Sequence, residues 1–109
     1  MDKHMLVSTA RDMVTEGKGI LAADESSGTI KRRLDSINVP STEENRRAYR
    51  ELLFTTPGVE AFISGIILYD ETIHQKAQDG TPFPTLLEQR GIIPGIKVCL
   101  LYTSDAADE

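Results

Sequence analysis

The first part of the chain carries an amphipathic pattern with helical spacing. Between positions 4 and 16, apolar residues recur every three or four positions: Leu6, Ala10, Met13 and Val14. This spacing predicts a helix over 4–16 with one buried face. Gly17 and Gly19 are expected to end that helix, because glycine is common just after a helical segment.

Three short apolar runs are spread along the rest of the chain. The runs at 19–24 and 65–70 each end in an aspartate, and the run at 95–98 carries Lys97. Runs of this length that alternate with helical patterns predict buried parallel strands, and therefore an α/β fold. Because three strands are too few to close a barrel, the sheet is expected to be incomplete.

Two helices are predicted between the first two runs. Either serine at 26–27 can cap the first helix, whose apolar residues recur at helical spacing: Ile30, Leu34 and Ile37. Ser41 as N-cap and Glu44 three residues later form a capping box, so a second helix is expected from there to about residue 55. The positions expected to be buried in it are Ala48, Tyr49, Leu52 and Leu53. Shorter helical pieces are expected up to Phe62 and around 86–90.

Composition narrows the classes of function. A net charge of −5 argues against a general nucleic-acid binder, which needs a basic surface to replace phosphate counterions. The chain has no apolar run long enough for a membrane span and no signal-like start, so the expected location is the cytoplasm. The single cysteine forms no disulfide within the chain, and His4 and His74 do not have a metal-site spacing. No metal or cofactor is therefore expected.

Charged residues lie close to the ends of the predicted strands. Asp24 and Lys97 fall near the carboxyl ends of their runs, the edge where parallel-sheet enzymes build their active sites. The triplet 31–33 follows within the next helix, where an arginine can reach a phosphate. Each residue also has a plainer interpretation. Asp24 could be a turn or cap residue, Lys97 a solvating charge, and the triplet an exposed helix face.

Longer segments are more specific than these single residues. The sequence GKGILAADESSGTIKRRL at 17–34 closely resembles the opening of the class I, Schiff-base-forming fructose-bisphosphate aldolases. The resemblance continues in order through STEENRRAYRELLF (41–54), ILYDETIHQKAQDGTPFP (67–84) and GIIPGIKV (91–98). It covers about residues 5–98, which correspond to about the first quarter to third of a family member.

The resemblance implies a fold and a reaction. The family fold is a (β/α)8 TIM barrel, so this chain is expected to form an incomplete barrel of about the first three strands and their helices. Family members are typically homotetramers. They reversibly cleave fructose 1,6-bisphosphate to dihydroxyacetone phosphate and glyceraldehyde 3-phosphate, without a metal. A lysine forms an iminium with the substrate ketone, and this iminium stabilises the carbanion left by carbon–carbon cleavage.

The resemblance also assigns roles to four residues. Asp24 matches an aspartate that hydrogen-bonds the hydroxyl region of the substrate and assists carbon–carbon cleavage. Lys97 matches an active-site lysine that helps set the charge there. Arg33 matches a phosphate-binding arginine, and Arg46 matches another arginine implicated in substrate binding. Glu25 and Ser26 match positions in the same turn and receive no chemical role.

The match is expected to stop after residue 98. Residues 1–98 are predicted to be the N-terminal part of the barrel, and 99–109 to be a non-family tail that is disordered or artefactual. The tail resembles translated sequencing adapter, which indicates a chimeric or truncated gene record. The Schiff-base lysine of the family has no counterpart in this chain, so the chain by itself is expected to be inactive.

Two other functional classes remain open. The chain could be a stand-alone phosphate-binding or interaction module derived from an aldolase N-terminus, which would require a monodisperse protein that unfolds cooperatively. It could also come from a different phosphosugar barrel enzyme, although the long match at 17–34 and 67–98 disfavours this.

Overall fold

The computed structural model describes residues 2–97, which form three parallel strands with helices between them. Along the chain the elements are α1 (Lys3–Met13), β1 (Gly19–Ala23), α2 (Ser27–Asp35), α3 (Glu43–Phe54), a 3-10 turn (Val59–Ala61), β2 (Ile63–Leu68), α4 (Asp70–Ile73), α5 (Phe83–Gln89) and β3 (Ile93–Ile96). The strands lie in the order β1-β2-β3. The predicted α/β class with a parallel sheet is therefore confirmed. The expected tail 99–109 lies outside the described residues.

One face of the sheet packs against helices and forms the core. Ile66 and Leu68 of β2 are fully buried together with Phe54 of α3 and Phe83 of α5. The two phenylalanine rings meet edge to face, with their centroids 5.0 Å apart, an arrangement that aromatic quadrupoles favour. These contacts tie α3 and α5 to the same side of β2.

The second and third strands begin and end two residues earlier than predicted. Residue 70 does not end β2, because Asp70 begins α4, where an acid in the first turn interacts favourably with the helix dipole. The third strand starts at Ile93 and includes Pro94. Proline is tolerated there because β3 pairs only with β2 among the described strands, so one of its edges needs no N–H donors.

The predicted buried face of α1 was wrong. The helix buries none of its residues, and Leu6 and Val14 are exposed. It meets the sheet mainly through Met13, whose side chain lies against Gly65 so closely that a Cβ there would fall 2.9 Å from its sulfur. The apolar stripe is present in the sequence, but no described element packs over it.

The predicted buried face of α3 was wrong in part: Tyr49 and Leu53 are partly buried as expected, and Leu53 packs against the core. Ala48 and Leu52 are exposed, whereas Arg50 and Phe54 are buried. The N-cap is Thr42, whose hydroxyl accepts from the N–H of Asn45 at 3.1 Å, and not Ser41. Ser41 instead accepts a hydrogen bond from an arginine side chain, as described below. Similarly, α2 ends at Asp35, which leaves the expected core residue Ile37 exposed.

Candidate active site

The structure brings Asp24 and Lys97 to the same edge of the sheet. Ala23 pairs with Leu68, and Leu68 pairs with Ile96, so the residues that follow are Asp24, Tyr69 and Lys97 at one carboxyl edge. The Lys97 N–H donates to the Leu68 carbonyl at 3.0 Å, which continues the pairing by one residue. With strands ~4.8 Å apart, Asp24 and Lys97 follow backbones separated by ~10 Å.

Side-chain alternation places Asp24 and Lys97 on the sheet face opposite α3 and α5. Ala23 and Leu68 are buried on the helix-packed side. Successive residues of an extended chain point to opposite faces, so Asp24 and Lys97 belong to the other, open face. Both are half-buried. A carboxylate and an ammonium on one open rim can together bind a polar ligand that carries hydroxyl groups and negative charge.

Arg33 lies next to this rim through its contact with the turn after β1. Its guanidinium forms an ion pair with Glu25, the residue after Asp24, and donates to the Tyr49 hydroxyl at 3.4 Å. These two partners, the hydrogen bond to Tyr49 first, raise the pKa of Arg33. The Arg33 side chain is still 53% exposed. It can therefore reach an incoming anion.

Arg46 is already engaged by protein groups. Its Nε and Nη2 donate to the two carboxylate oxygens of Glu71 at 2.9 and 2.8 Å, and its Nη1 donates to the carbonyl and hydroxyl of Ser41 at 3.0 and 3.1 Å. Its side chain is only 17% exposed. The hydrogen bonds from Arg46 lower the pKa of Glu71, which stays ionised in this clamp. The clamp joins the start of α3 to α4.

Arg50 is a residue at this site that the sequence analysis missed. It is 2% exposed, and its guanidinium donates to the carbonyls of Ala23 and Glu25 at 2.6 and 2.8 Å. It also donates to the Thr72 hydroxyl at 3.1 Å. A signal was present in the sequence: Arg46, Arg50 and Phe54 are spaced by four and so share one helix face.

Within residues 2–97 the structure contains no cluster of three or more His, Cys, Asp or Glu side chains that could hold a metal ion. His74 lies on the surface, with Nε2 3.6 Å from Asp70. In the same part of the chain, no helix is long and apolar enough to cross a membrane.

Comparisons with known proteins find similar sequences and a similar structure. The sequence model of the family "Fructose-bisphosphate aldolase class-I" matches residues 5–104. The chain is 60% identical over 93 residues to "Fructose-bisphosphate aldolase 6, cytosolic" of Arabidopsis thaliana, covering 85% of this chain and 26% of the relative. It is 56% identical over 98 residues to "Probable fructose-bisphosphate aldolase class 1" of Xylella fastidiosa, covering 90% of this chain and 29% of that relative.

A solved structure shows the same arrangement of strands and helices. It is fructose-bisphosphate aldolase from Plasmodium falciparum in complex with TRAP and a small-molecule inhibitor, with a TM-score of 0.83 and 55% identity. The match covers 87% of this chain and 27% of that one. The three-stranded parallel sheet is thus part of a larger α/β barrel in the relative, as expected for an incomplete (β/α)8 fold. The chain spans about a quarter of the length of the relatives it matches.

Proposed function

Since the chain belongs to the class I fructose-bisphosphate aldolase family, we propose that it supplies one part of a rim that binds fructose 1,6-bisphosphate for aldol cleavage. The observation that carries this proposal is the register of the sheet. Asp24 follows β1 and Lys97 follows β3, and both strands pair with β2 and end at the same carboxyl edge. In barrel enzymes this edge holds the substrate.

Asp24 and Lys97 are proposed to act on the reacting part of the substrate. In cleavage, the electron pair of the breaking carbon–carbon bond passes to an iminium formed between a lysine and the substrate ketone, with loss of water. Asp24 accepts a hydrogen bond from a substrate hydroxyl beside that bond and assists the step. The Lys97 ammonium offsets negative charge on the same rim. The hydroxyl beside the broken bond gives up its proton to a base as it becomes the aldehyde of glyceraldehyde 3-phosphate. Protonation of the remaining enamine carbon and hydrolysis of the iminium by water then release dihydroxyacetone phosphate and the lysine amine.

Arg33 is the better supported of the two proposed phosphate ligands. Its guanidinium is half-exposed and lies beside the residue that follows Asp24. A planar guanidinium pairs with two phosphate oxygens at once. Arg46 remains a second proposal, but it must first give up part of its clamp on Glu71 and Ser41.

We further propose that a polypeptide of these 109 residues does not cleave fructose 1,6-bisphosphate by itself. By resemblance to the family, none of its lysines is the one that forms the iminium, and without that amine the carbanion has no electron sink. A homotetramer of the complete enzyme and a cytosolic location are proposals too. The second is supported by relatives whose names include "cytosolic".

The rim can be tested in a chimera in which residues 5–97 replace the matching segment of the Arabidopsis thaliana relative. Asp24→Asn is expected to lower kcat by at least ~100-fold, which is the usual size of a general acid–base contribution. Lys97→Met is expected to lower it by ~10–100-fold through loss of a preorganised charge. The measurement is steady-state cleavage of fructose 1,6-bisphosphate.

Two matched variants control for the chemistry of the substitutions. Asp35→Asn removes an exposed aspartate that pairs with Lys31 on the outer surface of α2. Lys18→Met removes an exposed lysine just before β1, at the opposite edge of the sheet. Both are expected to keep kcat within about twofold, since surface substitutions change little. An Asp24→Asn chimera that keeps half of its activity would refute the assignment of Asp24.

A further inference from the structure

The backbone on both sides of Asp24 is held by one buried side chain. Arg50 reaches from the middle of α3 to the turn after β1, where its guanidinium donates to the carbonyls of Ala23 and Glu25 at 2.6 and 2.8 Å. These two residues are the immediate neighbours of Asp24 in the chain. Such a bridge leaves the peptide units around Asp24 little freedom to rotate.

The Arg50 side chain is also held by two side-chain contacts. It donates to the Thr72 hydroxyl of α4 at 3.1 Å, and its Nη2 lies 3.7 Å from Glu25 Oε1. Among residues 2–97 no group donates a hydrogen bond to that carboxylate oxygen, while the other oxygen of Glu25 binds Arg33. Arg50 thus joins the turn after β1 to α3 and α4, and Glu25 links it to Arg33.

We propose that Arg50 is a positioning residue, which holds the carboxylate of Asp24 in the orientation needed for carbon–carbon cleavage. This inference rests on the proposed function, because it gives Arg50 a role only through Asp24. A buried arginine is a poor way to stabilise a core, since a well-packed apolar side chain of similar size is often as good or better. Its hydrogen bonds to the residues flanking Asp24 explain why a charged side chain is buried at this position.

The geometry predicts an effect on turnover more than on substrate affinity. Arg50 is almost fully buried, so it does not touch a substrate on the open face. Displacing a reacting group by about 1 Å can lower the rate by ~100-fold. Removing Arg50 should therefore lower kcat while KM changes little.

The test is a double-mutant cycle in the chimera defined above, with thermal midpoints measured alongside. Arg50→Met is expected to lower kcat at least tenfold and to leave KM within about twofold, because only the orientation of the Asp24 carboxylate is disturbed. In an Asp24→Asn background the same change is expected to cost less than about twofold, because coupled residues are not additive. Arg47→Met is the control: it removes the neighbouring arginine, which pairs with Glu44 and Glu51 on another face of α3.

Arg50→Lys separates positioning from stability. Lysine keeps the charge but lacks the planar fork that bridges separate acceptors. We expect it to restore the thermal midpoint more fully than kcat. If Arg50→Met does not fold, Thr72→Val removes only the hydroxyl that receives the guanidinium and serves in the same cycle, with the same direction of effect.

Each outcome of the cycle has a defined meaning. An unchanged kcat in a folded Arg50 variant, or an equal loss with and without Asp24, would overturn the positioning role and leave the proposed function standing. Full activity of Asp24→Asn alone would instead refute the proposed function, and the role of Arg50 with it. A kcat loss in Arg47→Met equal to that in Arg50→Met would also count against the inference, since it would mark a general effect of disturbing α3.

Discussion

The arginines of α2 and α3 differ in what their guanidinium groups already bind. Arg33 is half-exposed beside the rim, Arg46 is clamped by Glu71 and Ser41, and Arg50 is buried against backbone carbonyls. The same residue type links two helices at Arg46 and is proposed to bind a phosphate at Arg33 and to position a turn at Arg50. An arginine can bind a phosphate only if some of its guanidinium N–H groups do not already donate to protein acceptors.

Arg33→Gln is predicted to raise the KM of the chimera for fructose 1,6-bisphosphate by ~10-fold, the cost of one lost charge-assisted hydrogen bond. The Arg33 side chain is 53% exposed, so its guanidinium can exchange Glu25 for a phosphate. Arg11→Gln, an exposed arginine in the last turn of α1, is the control. Steady-state kinetics that show a large KM change for Arg46→Gln and none for Arg33→Gln would reverse the assignment.

Among whole elements, the clamp between Arg46 and Glu71 ties α3 to α4. Glu71→Gln is predicted to destabilise the chimera by about 1–2 kcal/mol at pH 7, since hydrogen bonds to charged groups are stronger than neutral ones. Glu71 is about three-quarters buried, so solvent screens the pair only in part. The measurement is the midpoint of thermal or denaturant unfolding, with exposed Glu88→Gln as the control.

The same clamp predicts a pH dependence of defined sign. The folded pKa of Glu71 is lowered, mainly by its hydrogen bonds from Arg46. Its stabilisation is therefore fully present above the unfolded pKa of about 4.3 and is lost as pH falls through the lower folded value. The difference between the chimera and Glu71→Gln should be constant from pH 7 to about pH 5 and should narrow below about pH 4. A gap that widens on acidification would show that the carboxylate does not contribute in this way.

Most elements were predictable from the sequence, but α4 and several boundaries and buried faces were not. Helical periodicity located α2 and α3, and apolar runs located all three strands. The pattern treats every arginine as a surface residue, so it assigned Ala48 and Leu52 to the buried face of α3 in place of Arg50. That face is decided by carbonyls of a turn more than twenty residues earlier in the chain, which no local pattern contains.

The edge of the candidate site was predictable for a simple physical reason. Parallel strands end on the same side, so Asp24 and Lys97 had to meet at one edge once the strands were identified. The roles given to them came from the resemblance to the family and stay proposals. Which arginine is already engaged could not be predicted, because Glu71 and Ser41 reach Arg46 only in the folded chain.

Considered as a whole molecule, the described chain has a well-packed side and an open side. The helix-packed face contains the phenylalanine pair and the buried leucines. Several large apolar side chains are nevertheless exposed, among them Leu6, Val14, Ile20, Phe62 and Ile96. Exposed groups of this kind usually mark surfaces that another part of a protein covers.

The 109-residue chain alone is therefore predicted to melt over a broad range and to bind a hydrophobic dye before heating. The chimera is the control, because it supplies the rest of the barrel, and it should give a sharp transition with little dye binding. Calorimetry together with dye fluorescence makes the measurement. A monodisperse 109-residue protein with a sharp, cooperative melt would instead favour the stand-alone binding or interaction module.

The proposal that this chain lacks an electron sink can be tested by trapping the covalent intermediate. A lysine amine and the ketone of dihydroxyacetone phosphate lose water to form an iminium, and borohydride delivers hydride to it, leaving a stable secondary amine. The chain has only five lysines: Lys3, Lys18, Lys31, Lys76 and Lys97.

By resemblance to the family, none of these lysines is the residue that forms the iminium, although Lys97 lies on the rim. Mass spectrometry after reduction should therefore show no adduct on the 109-residue chain and one on the chimera. An adduct on Lys97 of the chain alone, lost in Lys97→Met, would contradict this prediction. It would show that Lys97 can form the iminium, although the chain matches only about a quarter of the length of its relatives.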